Sequence, residues 1–285
     1  MARIAKGDIV ARRSYKMDIY FKVCDLYVAG DGKEHALLRG IDVRLLADAP
    51  VEDLVKLTPA DVAAHWRNIM EKSGECIRRA FTRRQDTLPF LNRGGEVETF
   101  DVPGRVLHVD GDPDYLELCE TTYRQLGVPY HTYHVSEQEQ PNRVGELLRK
   151  HHPDILVLTG HDGFLKGKKN FADLASYRNS EYFVAAVLAA RRYEKSRDDL
   201  VIFAGACQSH YEALLDAGAN FASSPRRVMI HAFDPVFIVE KIAYTPTYKP
   251  IPLKEIIEAT ITGFPGIGGV ETWGKYRLGA PKSPY

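Results

Sequence analysis

One histidine and one cysteine stand at the ends of two apolar segments of the same design. Residues 155–163 end in Thr-Gly-His-Asp-Gly and place His161, and residues 200–208 end in Ala-Gly-Ala-Cys-Gln and place Cys207. Continuous apolar runs of this kind are typical of strands buried on both faces of a parallel sheet. Ligands bind at the carboxyl ends of such strands. If the two strands are neighbours, about 4.8 Å apart, they bring a base and a nucleophile to one edge.

This pair of residues predicts acyl-transfer chemistry that uses neither a metal nor a cofactor. A cysteine attacks as its thiolate, and a nearby imidazolium lowers the pKa of the thiol. The backbone N–H of Cys207 and one near Asp162 or Gly163 would form an oxyanion hole, because glycine permits the close backbone approach that such a hole requires. His210 is a weaker candidate for the base, since at a helix start it would cap the helix or point outward.

The segments around these residues alternate between strands and helices. From residue 105 onward, further strands are predicted at 106–109, 129–135 and 228–231, with amphipathic helices between the strands. One of these helices, 181–195, serves as the crossover between the His161 and Cys207 strands. Successive strand–helix units predict an α/β fold with a doubly wound, mostly parallel sheet.

The chain before this unit predicts a different architecture. Residues 1–57 hold short β-branched and aromatic runs with a Gly-Asp-Gly turn signal, which predicts a small β-barrel-like domain of the Tudor or KOW type. Residues 58–104 predict a helix to about Arg84 and then a linker over 85–103. Residues 105–285 form the predicted α/β domain, whose Gly-rich end, 266–285, is expected to be irregular. Because exposed linkers are where nicking concentrates, self-cleavage after Arg83 or Arg84 is a further expectation.

Composition excludes several classes of protein. Lysine plus arginine equals aspartate plus glutamate, 38 each, so no overall charge favours nucleic acid or a membrane surface. No apolar run approaches the roughly 18 residues of a membrane span. The first eight residues lack a secretory leader, so the chain is expected in the cytoplasm. The scattered cysteines predict neither a zinc site nor a disulfide framework; they are Cys24, Cys76, Cys119 and Cys207.

The motifs resemble those of known peptidases. An apolar strand ending in Gly-His and another ending in Ala-Cys resemble the caspase-like peptidases, which include clostripain and gingipain, and so imply a caspase- or flavodoxin-like sheet. A closer resemblance spans almost the whole chain. Residues 7–15, 43–49, 159–163 and 205–209 together look like the YabG sporulation peptidases of endospore-forming bacteria.

This resemblance implies a cysteine endopeptidase that cleaves after arginine. Its expected substrates are spore coat and cortex proteins, and its expected place is the mother-cell cytoplasm, in association with the forming coat. Carried over, His161 and Cys207 are the catalytic pair. Asp162 departs from the caspase-like pattern, which usually has glycine directly after the histidine, so the N–H that completes the oxyanion hole stays open. No pattern predicts an oligomeric state.

Cleavage after arginine demands a carboxylate that accepts hydrogen bonds from a guanidinium. The sequence favours Asp234, which follows the predicted strand at 228–231, and then Asp162, which adjoins His161. Asp110, at the end of the strand 106–109, is expected to line the substrate cleft. The competing structural role of Asp234 is to cap the helix that begins before Pro235.

Other functions fit parts of the pattern. An amidotransferase-like cysteine hydrolase would carry its histidine after its cysteine, and here His161 precedes Cys207. A receiver-like signalling domain suits Asp110 and Asp112, but Gly160 and His161 hold the phosphoacceptor position. A binding module led by the N-terminal barrel is the third alternative.

Overall fold

The N-terminal part of the chain forms an antiparallel sheet. The computed structural model describes residues 3–30, 32–87 and 98–283. Strands β1 to β5 pair in the order β4-β3-β2-β1-β5; they are Ile9–Arg12, Tyr20–Val28, Glu34–Gly40, Leu46–Pro50 and Leu54–Lys56. Alternate side chains on one face, among them Val10, Phe21 and Leu38, are buried. One-sided burial of this kind fits an antiparallel sheet; closure into a barrel stays a prediction.

The rest of the chain alternates strands and helices. After α1, Pro59–Thr87, the strands that follow are β6 (Phe100–Val102), β7 (Val106–Asp110), β8 (Tyr130–His134), β9 (Ile155–Thr159), β10 (Val201–Ala204), β11 (Phe221–Ser223), β12 (Pro250–Ile251), β13 (Ile267–Gly269), β14 (Thr272–Trp273) and β15 (Arg277–Gly279). The helices are α2 (Pro113–Leu126), α3 (Gln140–His151), α4 (Ser180–Tyr193), α5 (Tyr211–Asp216), α6 (Asp234–Ala243) and α7 (Leu253–Ile257).

A mostly parallel sheet organises this second part. Its order is β13-β11-β10-β9-β7-β8, and only the edge strand β13 is antiparallel to its neighbour. Side chains on one face, such as Val157 and Phe203, pack against α1, α2, α6 and α7. Those on the other face, such as Leu156 and Ile202, pack against α3, α4 and α5. Both faces are therefore covered, and the predicted α/β class with a mostly parallel sheet is confirmed.

Strands β9 and β10 are neighbours, as the two apolar segments predicted. They pair in parallel, with Leu158 opposite Ala204, so the residues that follow them reach the same edge. The domain boundaries at residues 57 and 104 stay predictions. Within the described residues, no helix is both long enough and apolar enough to cross a bilayer.

Three details differ from the prediction. The strand expected at 228–231 is wrong, because the next strand of the sheet is β11, and the later segment makes only an isolated bridge between Val43 and His231. Helix α1 runs on to Thr87, so Arg83 and Arg84 lie in a helix, and much of the expected linker falls on 88–97, outside the described residues. The C-terminal region, expected to be irregular, holds β13, β14 and β15.

Candidate active site

Sharp turns after β9 and β10 present His161 and Cys207 at the same edge of the sheet. Gly205, just after β10, has φ +105°, and a Cβ there would clash with Leu214 and Ser223. Gln208 also has a positive φ, 56°, directly after Cys207. Non-glycine residues adopt this conformation rarely, and it clusters at functional turns. The chain thus turns abruptly on both sides of Cys207.

Asp162 ties the two turns together. Its carboxylate accepts hydrogen bonds from the backbone N–H of Gly163 and of Asn179, each at 2.8 Å. It also accepts from the hydroxyl of Ser180, and from that of Ser209 at 2.8 Å. Burial raises the pKa of Asp162, and these hydrogen bonds oppose the rise. Both carboxylate oxygens of Asp162 therefore accept hydrogen bonds that position the two loops. Its role in an arginine pocket stays a prediction.

Cys207 is fully buried. Its Sγ lies 3.2 Å from the backbone nitrogen of Ile230, which donates to it. Burial raises the pKa of the thiol to about 12, because a thiolate in an apolar surrounding loses its hydration. The N–H of Ile230 and the charge of Arg44 act in the opposite direction. In this arrangement Cys207 is held as a thiol.

His161 is flanked by two carboxylates. Its Nε2 lies 3.2 Å from Oδ2 of Asp112, and its Nδ1 lies 3.5 Å from Oε1 of Glu137. Oε1 of Glu137 also accepts the backbone N–H of His161 at 2.7 Å. Burial lowers the pKa of the imidazole, but the two carboxylates outweigh burial, and the pKa is raised. Their negative charges stabilise the imidazolium, as the orienting acid does in a catalytic triad.

Each nitrogen of the His161 ring faces a carboxylate. The contact of Nε2 with Asp112 is at ion-pair distance, and Nε2 makes no hydrogen bond among the described residues. No hydrogen bond joins this ring to the Cys207 thiol within residues 98–283. Tyr115 lies near both, with its ring centroid 5.5 Å from that of His161.

The orienting carboxylates were not found from the sequence. Asp112 begins α2 as its N-cap and accepts the N–H of Asp114 and of Tyr115, so it both caps a helix and faces His161. Glu137 comes from the loop after β8 and packs so closely on Gly111 and Gly160 that a side chain at either would clash with its carboxylate. The motif Asp-Gly-Asp at 110–112 was the one available signal for Asp112.

The predicted oxyanion donors lie at the same edge. The N–H of Gly163 is already bonded to the carboxylate of Asp162. The backbone nitrogens of Cys207 and Asp162 have no hydrogen-bond acceptor among the described residues. These two N–H groups are therefore available to donate to an oxyanion. Their role as an oxyanion hole stays a prediction.

Asp110 binds a guanidinium in the interior. Its Oδ2 lies 2.5 Å from Nη1 of Arg44, and both side chains are fully buried. The hydroxyl of Thr159 donates to the same Oδ2 at 2.7 Å, and the N–H of Asp112 donates to Oδ1 at 2.9 Å. Burial would raise the pKa of Asp110, but the charge of Arg44, the interactions with His108 and the N–H of Asp112 together outweigh burial, and the pKa is well below its usual value. Arg44 comes from the loop between β3 and β4.

Asp234 is saturated by local donors. Its carboxylate accepts the N–H of His231 at 3.1 Å, of Ile261 at 2.7 Å and of Thr262 at 3.2 Å. The hydroxyl of Thr262 donates to it as well. The carboxylate therefore joins the start of α6 to the segment after α7, and its predicted role as the arginine-binding group stays untested.

Asp234→Asn should destabilise the fold and spare cleavage after arginine. The asparagine NH₂ would face N–H donors, and each buried group left unsatisfied costs about 1–3 kcal/mol. We expect the free energy of unfolding in urea to fall by about that amount, against a change within about 0.5 kcal/mol for the exposed Asp216→Asn. A variant of unchanged stability that no longer cleaves after arginine would make Asp234 the pocket carboxylate.

Asp112→Asn should shift the pH dependence of activity. A base must be neutral, so activity rises with pH through the pKa of His161, which Asp112 and Glu137 raise. Removing one carboxylate lowers that pKa, and the acidic limb of kcat/KM moves to lower pH. Asparagine still caps α2. Asp114→Asn, in the same helical turn, is the matched control and should leave the limb in place; an unmoved limb in Asp112→Asn contradicts the assignment.

Comparison with known proteins gives two findings. The model of the family described as YabG peptidase U57 matches residues 5–281. The chain is also similar to the sporulation-specific protease YabG of Bacillus subtilis (strain 168), with 42% identity over 281 residues. That alignment covers 96% of this chain and 97% of the relative.

Proposed function

Because the chain belongs to the YabG peptidase U57 family it is a peptidase, and we propose that it is a cysteine endopeptidase with Cys207 as nucleophile and His161 as base. The observation that carries this proposal is the pairing of β9 with β10, which delivers both residues to one edge of the sheet. The caspase-like peptidases share this order, histidine strand before cysteine strand.

The proposed reaction has two halves. In the first, His161 accepts the thiol proton, and Sγ of Cys207 attacks the substrate carbonyl to form a tetrahedral oxyanion that the N–H groups of Cys207 and Asp162 stabilise. The C–N bond breaks, His161 returns the proton to the leaving amine, and a thioester remains. In the second half, water attacks the thioester, His161 takes the proton of the water, and the acid and the free thiol are released.

Asp112 and Glu137 act in this scheme as positioning residues. They hold the imidazole by its two sides and stabilise the imidazolium formed when Cys207 loses its proton. A buried thiol with a pKa near 12 makes this assistance necessary. Activation therefore requires the ring and the thiol to come into contact, with substrate in place of the groups that now surround Cys207.

We further propose that the peptidase acts in sporulation and cleaves after arginine. Support comes from the relative, which is named a sporulation-specific protease, and from the buried carboxylate of Asp110, which already binds the guanidinium of Arg44. Protein substrates of the spore coat and cortex, met in the mother-cell cytoplasm at the forming coat, follow from the family resemblance.

Digestion of an unfolded protein tests the proposal. The wild-type protein and Cys207→Ala are each incubated with reduced, alkylated casein, and the fragments are identified by mass spectrometry. We expect new C-termini at arginine with the wild type alone. Fragments that end at other residues would contradict the arginine preference, and the same fragments from Cys207→Ala would contradict the role of Cys207.

A further inference from the structure

A segment of the N-terminal sheet lies in the candidate active site. This segment, residues 40–45, connects β3 to β4 and reaches the edge where β7, β9 and β10 end. The hydroxyl of Tyr115 lies 2.5 Å from the carbonyl oxygen of Gly40 and 2.6 Å from that of Val43. Tyr115 also neighbours His161. The segment 40–45 is therefore held by a residue of the site itself.

The main chain of this segment pairs with the segment that follows β11. Val43 and His231 form an antiparallel bridge. The N–H of Ala232 donates to the carbonyl oxygen of Asp42 at 2.8 Å, and the N–H of Arg44 donates to that of Ile230 at 3.4 Å. Extended peptides commonly bind proteins in this way, through main-chain hydrogen bonds to an exposed extended segment, with side-chain pockets for specificity.

The side chain of Arg44 fills such a pocket. Besides the ion pair with Asp110, its Nη2 lies 3.2 Å from the carbonyl oxygen of Ala232 and 3.4 Å from Sγ of Cys119. Its guanidinium carbon lies 5.2 Å from the centre of the Tyr115 ring. A buried charge is costly unless it is paired and hydrogen-bonded. These groups bind both terminal nitrogens of the guanidinium, and its Nε is buried without a hydrogen-bond partner among the described residues.

The backbone of Arg44 meets the proposed nucleophile. Its N–H donates to the carbonyl oxygen of Ile230 at 3.4 Å, and the N–H of Ile230 donates to Sγ of Cys207 at 3.2 Å. The charge and the N–H of Arg44 both favour negative charge on that sulfur. A peptidase that cleaves after arginine must bind that side chain in a pocket while its backbone lies at the nucleophile. Arg44 meets both conditions at once. Beyond it, Leu45, Leu46 and Ala47 line a polar cleft of about 700 Å³ together with Gly163 and Gln208.

We propose that the segment 40–45 occupies the substrate cleft of its own chain, with Arg44 in the position of the arginine after which the enzyme cleaves and Asp110 as the carboxylate of that pocket. The inference rests on the proposed function. It explains why Cys207 is fully buried: the N-terminal domain covers the thiol. A protein substrate must then displace this segment before it reaches Cys207.

Ligand binding tests this inference without requiring catalysis. In a Cys207→Ala background, Arg44→Ala empties the pocket, and Nα-acetyl-arginine amide should bind at least about tenfold more tightly than to Cys207→Ala alone, because an occupied site is available only in a minor fraction of molecules. Nα-acetyl-citrulline amide, which has the same shape without the charge, should not bind. Isothermal calorimetry measures both ligands.

Two matched variants identify the groups responsible. Asp110→Asn added to Arg44→Ala and Cys207→Ala should abolish binding of the arginine amide. Arg39→Ala in the Cys207→Ala background removes another arginine of the same domain, one paired with Asp112, without emptying the pocket, and should not increase binding. Equal binding to Arg44→Ala and Arg39→Ala, or binding that survives Asp110→Asn, would overturn the proposal.

A milder variant covers the case in which Arg44→Ala does not fold. Tyr115→Phe removes the hydroxyl that holds Gly40 and Val43 and leaves the ion pair intact. In the Cys207→Ala background it should also increase affinity for the arginine amide, and unchanged affinity would contradict the inference. The same substitutions can also be made with Cys207 present. If Arg44→Ala then binds the arginine amide but does not hydrolyse peptides, the proposed function is refuted and the assignment of the pocket stands.

Discussion

Cys207→Ala is expected to abolish peptide hydrolysis. With the nucleophile gone the acyl-enzyme cannot form, and the rate on an arginine amide that releases a fluorophore should fall about 10⁴-fold or more. Alanine fills less of a buried site than cysteine, so circular dichroism should accompany the assay to show that the fold persists.

Cys76→Ala is the matched control for this variant. Cys76 is also a buried, unpaired cysteine, but it lies in α1 beside Arg79, away from the edge of the sheet. It should retain nearly the wild-type rate. Full activity in Cys207→Ala, or equal losses in both variants, would remove Cys207 from the mechanism.

His161→Gln is expected to lower the rate by roughly 10³-fold or more, since the thiol, whose pKa is about 12, would lose its base. Glutamine approximates the volume of the ring and can still contact Asp112 or Glu137, so the loop should keep its shape. The loss should appear in kcat with little change in KM. His151→Gln, at the far end of α3, should have no such effect, and a folded His161→Gln of wild-type kcat would contradict the base assignment.

The sequence predicted that His161 and Cys207 lie at the same edge of the sheet, because the two strands before them can be recognised from local sequence. In each case the small residues and the reactive side chain after the apolar run mark the end of a buried strand. These two strands, β9 and β10, are neighbours as expected. The same reasoning failed for 228–231. Its apolar, β-branched residues favour an extended chain, but its one bridge, through His231, is to Val43 in the loop between β3 and β4 rather than to the central sheet. The apolar pattern of a segment indicates its local conformation, but it does not indicate which other segment it pairs with.

The rest of the site comes from distant segments. Arg44 lies in a loop of the first sheet, and no pattern near it indicates a guanidinium that crosses to Asp110. Glu137 lies in a loop after an edge strand and meets His161 only through the fold. The prediction of Asp234 as the pocket carboxylate rests on its place after an apolar run, and the sequence did not indicate that neighbouring N–H groups donate to this carboxylate. Its role in the pocket stays a prediction.

Mapping the adduct of an arginine-directed thiol reagent tests the central claim most directly. An acyloxymethyl ketone of arginine alkylates a cysteine that attacks at an arginine carbonyl, and mass spectrometry identifies the residue modified. We predict one adduct, on Cys207, formed faster by Arg44→Ala than by the wild type and not formed by His161→Gln. An adduct on Cys24, Cys76 or Cys119 with Cys207 unmodified, or no adduct in Arg44→Ala, would contradict the account.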